Sequence, residues 1–585
     1  MLRVLYEQRQ NTMADEYQKL YDNFRWHVPR DFNIAKVCCF DWAPGLGHTH
    51  KEALRWQQPN HLEQSVSFAE LGTLVCQLSN GLSKLGVIPG DRVIVVMSRP
   101  IETLAVMLAC WASAAVAVPL SPAESEEALV VKLKQARSRL AFIDQHTAQT
   151  TLAAIGRCPL IQQVVGFDVH QGNVMSWHGF VARQSHQFQV APALPSAPAL
   201  MVWPEHAQRL FTADTALILP QQALIGNLPG FVASHNWFPA QATALQTTLM
   251  PWVEAGLMAA ILPALYFGRA VIFDQSTTLS LASDASHLST TPIRWCRWLK
   301  STNQTLPSSL ASVALIGDQL TPAWRTASVE RTGISPNLAT YMPGCGLALV
   351  QSHQKWPSES DDLFLTPGFK AQTIPDPDST VSDQSTTGFL SVARVDTFEH
   401  TNPAQYVQAW PQKASFDSHG LGNDALWLAT DLCVKTVDNQ RFRLLGRSDQ
   451  MVPTVLGQLN ANQIEQRLLT IAEVWAAATF ASPQKINALP NIIVVVLQLS
   501  PATATHQPNW RHDISLKVRG FIMEAIDSLS AQPPKTLLIK TGFIDHIEHD
   551  QVDQPLRQAW NKRLKLADID FMPSAPLVSA SRPLR

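Results

Sequence analysis

The sequence predicts an α/β protein with a large N-terminal part and a small α+β C-terminal part, and three stretches carry that prediction. Ser67–Pro119 alternates helical and extended patterns. A helix opens at Phe68-Ala69-Glu70-Leu71 and closes at Leu85-Gly86, with Gly86 as its cap. Pro89-Gly90-Asp91 turns the chain into a buried strand at Arg92–Met97, and a small-residue helix over Glu102–Ala117 leads to Val118-Pro119-Leu120. Such alternation is the pattern of a parallel sheet covered by helices. The second stretch, Leu426–Leu469, reads as strand, polar turn (Val437–Gln440), strand, glycine turn and amphipathic helix from about Asn460. The third follows Asn462, where Gln463–Thr470, Val474–Phe480, Ile492–Leu499 and Ile514–Leu529 read as helix, strand, helix, strand.

At about 150 residues per domain, 585 residues imply three or four folding units. Hydrophobic residues make up 46% and charged ones only 16%, which suits a large buried core. The net charge of −2 gives no electrostatic reason to expect nucleic acid or an anionic membrane as a partner. Eight cysteines without a CxxC pair predict reduced core thiols in a cytoplasmic chain. The N-terminal residues lack the apolar run of a signal peptide. Arg269 interrupts the apolar stretch Gly256–Phe273, and Arg99, Pro100 and Glu102 interrupt Val93–Leu120, so no membrane span is expected.

Several stretches resemble the adenylate-forming (AMP-binding) enzymes, and within them the bacterial acetyl-CoA and medium-chain acyl-CoA synthetases. The join Ala429-Thr430-Asp431, Phe442–Val452 and Gly457–Glu465 is similar to TGD…(F/Y)xxxGRxDxxI…GxxIxxxEIE. Phe24–Ala35 resembles an N-terminal wrap, Ala53–Trp56 a first strand, and Ser67–Leu120 a long fold motif in which the family's glycine is Ala114. Gly226–Gln275 continues the likeness. Leu315–Leu320 resembles the xGGExL turn, and Pro367–Phe369 with Gly388–Val392 resembles a small β-domain. The resemblance spans roughly Tyr17 to Leu566. It implies the two-domain adenylate-forming fold: residues 1–448 as a large AMP-binding-like part with a β-barrel-like piece, 449–570 as a small C-terminal domain, and 571–585 as a frayed tail.

It also implies site residues. Asp431 and Arg447 would hold the ribose hydroxyls of ATP or AMP, Asp449 would be the hinge, Tyr341 would stack on adenine, and Asp318 would line the nucleotide pocket. ATP, CoA and Mg²⁺ would be the cofactors, with a carboxylate or acyl-CoA as small-molecule partner. The implied chemistry is activation of a carboxylate as acyl-AMP and its transfer to CoA, as in fatty acid metabolism.

The groups that chemistry needs are missing. A triphosphate is cradled by a glycine-rich loop because only glycine lets the backbone come close. Where the family has TSGTTGxPKG, this chain has Phe211–Pro220, and Phe211–Ile225 contains neither glycine nor lysine. Asp214 adds a repelling charge, and Thr212 and Thr215 read as loop residues. In the family's YGxTE the Thr and Glu become Gly344 and Cys345, and a thiol is a poor Mg²⁺ ligand. The family's C-terminal lysine falls in Phe543–Arg557, which has no lysine. His546, Glu548, His549 and Asp550 have metal-ligating chemistry there, but read better as a solvated loop. At about 3 kcal/mol each, three such losses would slow adenylation by roughly six orders of magnitude. No catalytic residue and no metal ligand is therefore assigned. Two functions stay open: a diverged AMP-forming acid–CoA ligase with impaired adenylation, and a pseudo-enzyme that binds a nucleotide, an acyl-CoA or a protein partner.

Overall fold

The structure is a computed structural model. It describes residues 17–43, 51–57, 63–204, 215–276, 278–301, 305–357, 361–375, 387–393, 403, 408–410, 427–454, 457–481, 485–486, 489–490, 492–499, 510–527, 538–544 and 570–571. The lysine-free 545–557 stretch and Phe211–Asp214 lie outside them.

The chain enters through helix α1 (Tyr17–Asn23), pinned by Tyr17 and Tyr21, whose hydroxyls donate to the carbonyls of Leu365 and Phe369 at 2.6 Å each. Helix α2 (Phe68–Lys84) starts with a reciprocal Ser67–Glu70 capping box, and Gly86 just beyond its end takes φ +76°. Helix α3 (Pro100–Ala112) is buried along its whole length. It stops earlier than the small-residue run suggests, and the next strand is Val116–Pro119. The turn between them puts Ala114 at φ +55°, the left-handed region that favours glycine. Ala114→Gly should therefore stabilise the protein by about 1 kcal/mol, readable as a higher melting temperature.

These elements belong to an eight-stranded sheet whose parallel core runs Pro198–Val202, Val116–Pro119, Arg92–Val96, Leu140–Asp144, Gln163–Phe167. Helix α4 (Ala223–Ser234) leads to a second sheet of thirteen strands. Its parallel half includes Ala244–Thr247, His287–Thr290, β1 (Ser312–Ile316) and β2 (Asn337–Met342). β2 turns back into β3 (Gly346–Val350), and antiparallel strands continue the sheet, including β4 (Trp427–Thr436) and β5 (Arg441–Arg447). The strands around Gly388–Val392 thus extend the large sheet by hydrogen bonds.

After β5 a 3₁₀ turn, Ser448–Gln450, and a hairpin, Met451–Thr454 with Gly457–Asn460, precede helix α5 (Ala461–Leu468), whose N-cap is Asn460. A separate four-stranded sheet follows, with helix α6 (Trp510–Asp527). Ile492–Leu499 is a strand and 510–527 a helix, the reverse of the sequence expectation. The run Ile492-Ile493-Val494-Val495-Val496 is β-branched, which restricts χ1 and favours a pleated, buried strand over a helix. This part packs on the rest through specific groups. The ammonium of Lys300 donates to the carbonyls of Ile471 and Val474, and the indole of Trp324 donates to the carbonyl of Gln466. All eight cysteines are buried and unbridged. Among the described residues no helix is long and apolar enough to cross a membrane.

Candidate functional site

β1 is followed by Gly317, whose φ of +117° turns Asp318 into the protein, where it is 2% exposed. Its carboxylate accepts a 2.6 Å hydrogen bond from the side-chain amide of Gln450. The carbonyl oxygen of the same amide accepts from the backbone N–H of Arg447 at 3.0 Å. Gln450 therefore ties β1 to the turn after β5.

In that turn the Arg447 guanidinium pairs with Asp449 through two hydrogen bonds, 3.0 Å from Nε and 2.9 Å from Nη2, with both side chains largely buried. The Ser448 hydroxyl donates to Asp431 at 3.3 Å. Gly446 precedes it at φ +137°, with the Asn460 side chain 2.5 Å from where a Cβ would stand. The structure thus gathers Asp318, Asp431, Arg447 and Asp449 around Ser448–Gln450.

Tyr341 belongs to a second cluster. It sits near the end of β2, beside a shift in the β2–β3 register, and the turn to β3 places Gly344 at φ +67° and Gly346 at φ +90°. The Tyr341 hydroxyl donates 2.7 Å to Glu254 Oε1, and the Gly344 N–H donates to the same oxygen at 3.0 Å. Glu254 is buried. Gly256 holds its segment tight, since a Cβ there would lie 2.5 Å from the carbonyl oxygen of Met250. Burial pushes the Glu254 carboxyl up from 4.5 to about 7, against the opposing pull of the Gly344 and Tyr341 hydrogen bonds. Burial and the neighbouring Glu254 push the Tyr341 phenol well above its ordinary value, so it remains a neutral donor.

Neither Glu254 nor Gln450 was singled out from sequence. A signal for Glu254 was present: it is the only charged residue in the apolar run Leu249–Phe267, and a buried acid must be neutralised or hydrogen-bonded. Gln450 carried none. Cys345 is a buried thiol and Thr215 a buried residue. Among the described residues, no group of three His, Cys, Asp or Glu side chains is placed to hold a metal ion.

The two donors that the resemblance aligns with adenine and the α-phosphate, at Tyr341 and Gly344, both serve a carboxylate of the chain itself. An anionic phosphate about 5 Å from ionised Glu254 would be repelled by about 3 kcal/mol at an effective dielectric of 20. This cradle does not fit a polyphosphate, and no reaction step through ATP is derived from it.

The comparisons agree with this architecture. Residues 42–203 match the AMP-binding enzyme family. An acetyl-coenzyme A synthetase of Thiobacillus denitrificans is 22% identical over 87% of this chain and 81% of its own length. The fold is similar to that of an anthranilate CoA ligase solved with anthranoyl-AMP (TM-score 0.73, 14% identity, covering 92% of this chain and 99% of that one). It is also similar to a benzoate CoA ligase from Burkholderia xenovorans (TM-score 0.71, 14% identity, 91% and 100% covered). The chain has the adenylate-forming fold of the CoA ligases. In sequence it is similar to acetyl-CoA synthetases.

Proposed function

We propose that this chain is a diverged acyl-CoA synthetase-like protein whose adenylation step is impaired, and that it binds an adenosine-type ligand without activating a carboxylate. The observation that carries this reading is Glu254, which takes the Tyr341 hydroxyl and the Gly344 N–H where a phosphate would need them. The glycine-free and lysine-free Phe211–Ile225 stretch and the exchange of a Mg²⁺-holding glutamate for Cys345 support it from sequence. In this reading Asp431 and Arg447 face the ribose, Asp318 and Tyr341 border the base, and the part beyond residue 448 closes as a small domain about Asp449. The protein works in the cytoplasm, and CoA or an acyl-CoA is its second ligand class.

Calorimetric titration with AMP and Mg²⁺-ATP, in separate runs, tests the proposal. AMP should bind, Mg²⁺-ATP should bind more weakly or not at all, and carboxylate-dependent pyrophosphate exchange should be absent. Arg447→Ala should weaken AMP by at least about tenfold, the worth of one charge-assisted hydrogen bond. Unchanged AMP binding would remove Arg447 from the site. Pyrophosphate exchange would establish an active ligase instead.

A further inference from the structure

α4 runs into a box of rings. His235, just past its last residue and 1% exposed, has Phe231 at 5.0 Å and Phe238 at 6.0 Å between ring centres. His287, 2% exposed at the start of the parallel strand His287–Thr290, meets His235 edge to face at 5.4 Å and Phe238 at 5.2 Å. The polar partners of the pair are hydroxyls. His235 Nε2 lies 2.9 Å from the Ser289 oxygen, and His287 Nδ1 lies 3.1 Å from that of Ser286. Among the described residues, the titratable and charged groups that act on the pair are the two rings themselves and Arg269, whose cation acts on His287. Asp284, two residues before Ser286, is held by Arg55 at 2.8 Å.

This box suits neutral imidazole. An imidazolium donates from both ring nitrogens, and the buried Nδ1 of His235 has no acceptor. Burial pushes His235 well below its ordinary 6.5 and His287 down to about 4, and the neighbouring His287 and Arg269 add to it.

The same box anchors a strained turn. Asn236, Trp237 and Gln241 have φ of +52°, +76° and +57°, the left-handed region, where a side chain as bulky as tryptophan is an outlier. The N–H groups of Asn236, Trp237 and Phe238 bond back to the carbonyls of Ala233 and Val232. Strained backbone persists only where its surroundings hold it. Here Phe238, 1% exposed and packed on both histidines, is that hold.

We infer that His235 and His287 form an acid-operated latch on the turn Asn236–Gln241, which opens locally when either ring takes up a proton. A histidine that is harder to protonate in the closed turn gains its proton on opening. Opening is therefore favoured as pH falls through 6.5, and the contribution of His287 levels off below about 4. Glu254 titrates in the same range with the opposite sign, because its buried neutral acid favours the folded state at low pH.

Hydrogen exchange of the full chain, corrected for its intrinsic pH dependence and read at Asn236–Phe238, tests the latch. From pH 7 to pH 5 the opening equilibrium should rise by at least about twentyfold, the share of His287 alone, while Arg92–Val96 in the other sheet stays unchanged. His235→Gln combined with His287→Gln should abolish the rise, and Glu254→Gln should leave it. Gln241→Gly, at an exposed position, relieves strain without touching the box. It should lower opening by about fivefold at both pH values and keep their ratio, so it and the native protein carry the test if the double variant fails to fold. Opening that ignores pH would overturn the latch, as would equal opening of Arg92–Val96, which is global acid unfolding. A rise that survives in the double variant, or vanishes in Glu254→Gln, would overturn it by placing the proton elsewhere.

Discussion

Glu254→Gln should open the cradle to AMP, with a gain that is large only at alkaline pH. The native carboxyl titrates at about 7 because burial disfavours its charge. Below that pH it is neutral, and it tolerates an anionic neighbour. Above it, a carboxylate faces the phosphate, and the estimated repulsion of about 3 kcal/mol corresponds to about a hundredfold in affinity. Native AMP affinity should therefore fall between pH 6 and pH 8.5, while that of the Gln variant stays flat. Calorimetric titration of both proteins at the two pH values reads this directly. Parallel profiles would show that Glu254 does not control the site.

Stability has a linked signature. The folded carboxyl sits at about 7 against an ordinary 4.5, so the unfolded chain releases this proton first as pH rises. The stabilisation from that proton is fully present below pH 4.5 and is lost as pH climbs through 7. The native protein should thus lose about 3 kcal/mol relative to Glu254→Gln across that window, with no further change above it. Denaturant melts of the pair at pH 5 and pH 8 measure the difference.

Most of the fold was legible because its signals are local. Ser67 and Glu70 announce a helix start, and Gly86 its end. The apolar run at Arg92–Val96 is a parallel strand buried along most of its length. Where local signals conflicted, burial decided. The Ile492–Val496 run is too short and too uniformly apolar to separate strand from helix by period alone, and its β-branching, the signal that favoured a strand, is what the sheet bears out. The hairpin after Gln450 went unseen because Met451–Thr454 and Gly457–Asn460 are short and have no strong turn residues beyond Gly457. The cradle was half legible. The motif placed Asp431, Arg447 and Asp449, and these do converge on one turn. The Tyr341–Glu254 contact joins residues 87 apart in sequence, and no periodicity reports such a contact. Ala114 shows a related limit: its sequence departure from glycine was visible, but the positive φ that makes it costly was not.

Gly230→Ala should be strongly destabilising and should also loosen the cradle, although alanine is the better helix former. Within a helix the exchange gains about 1 kcal/mol from propensity. At position 230 an added Cβ would stand 2.6 Å from the Leu347 Cβ and 2.8 Å from the Leu347 carbonyl oxygen. The second contact is with backbone, which a rotamer change cannot relieve. The strand cannot retreat freely either. One helical turn earlier, Asn227 accepts the Leu347 N–H at 3.0 Å, so moving β3 away would leave a buried donor unpaired. Overpacking of about 3 kcal/mol against the propensity gain leaves a net loss of about 2 kcal/mol, a fall of about 4–8 °C in the melting transition of this part. Leu347 pairs with Tyr341 across the β2–β3 hairpin, so the displacement passes to the two donors on Glu254. The carboxyl, losing the contacts that hold it down, should titrate higher, and the pH at which AMP affinity falls should shift upward with it. Gly520→Ala is the control. Gly520 lies in α6 with open space where its Cβ would be, so the same exchange should stabilise by up to about 1 kcal/mol and leave the AMP profile unchanged. Equal effects from the two substitutions would mean that α4 does not brace the hairpin, and that the Glu254 cradle is held by its own hydrogen bonds alone.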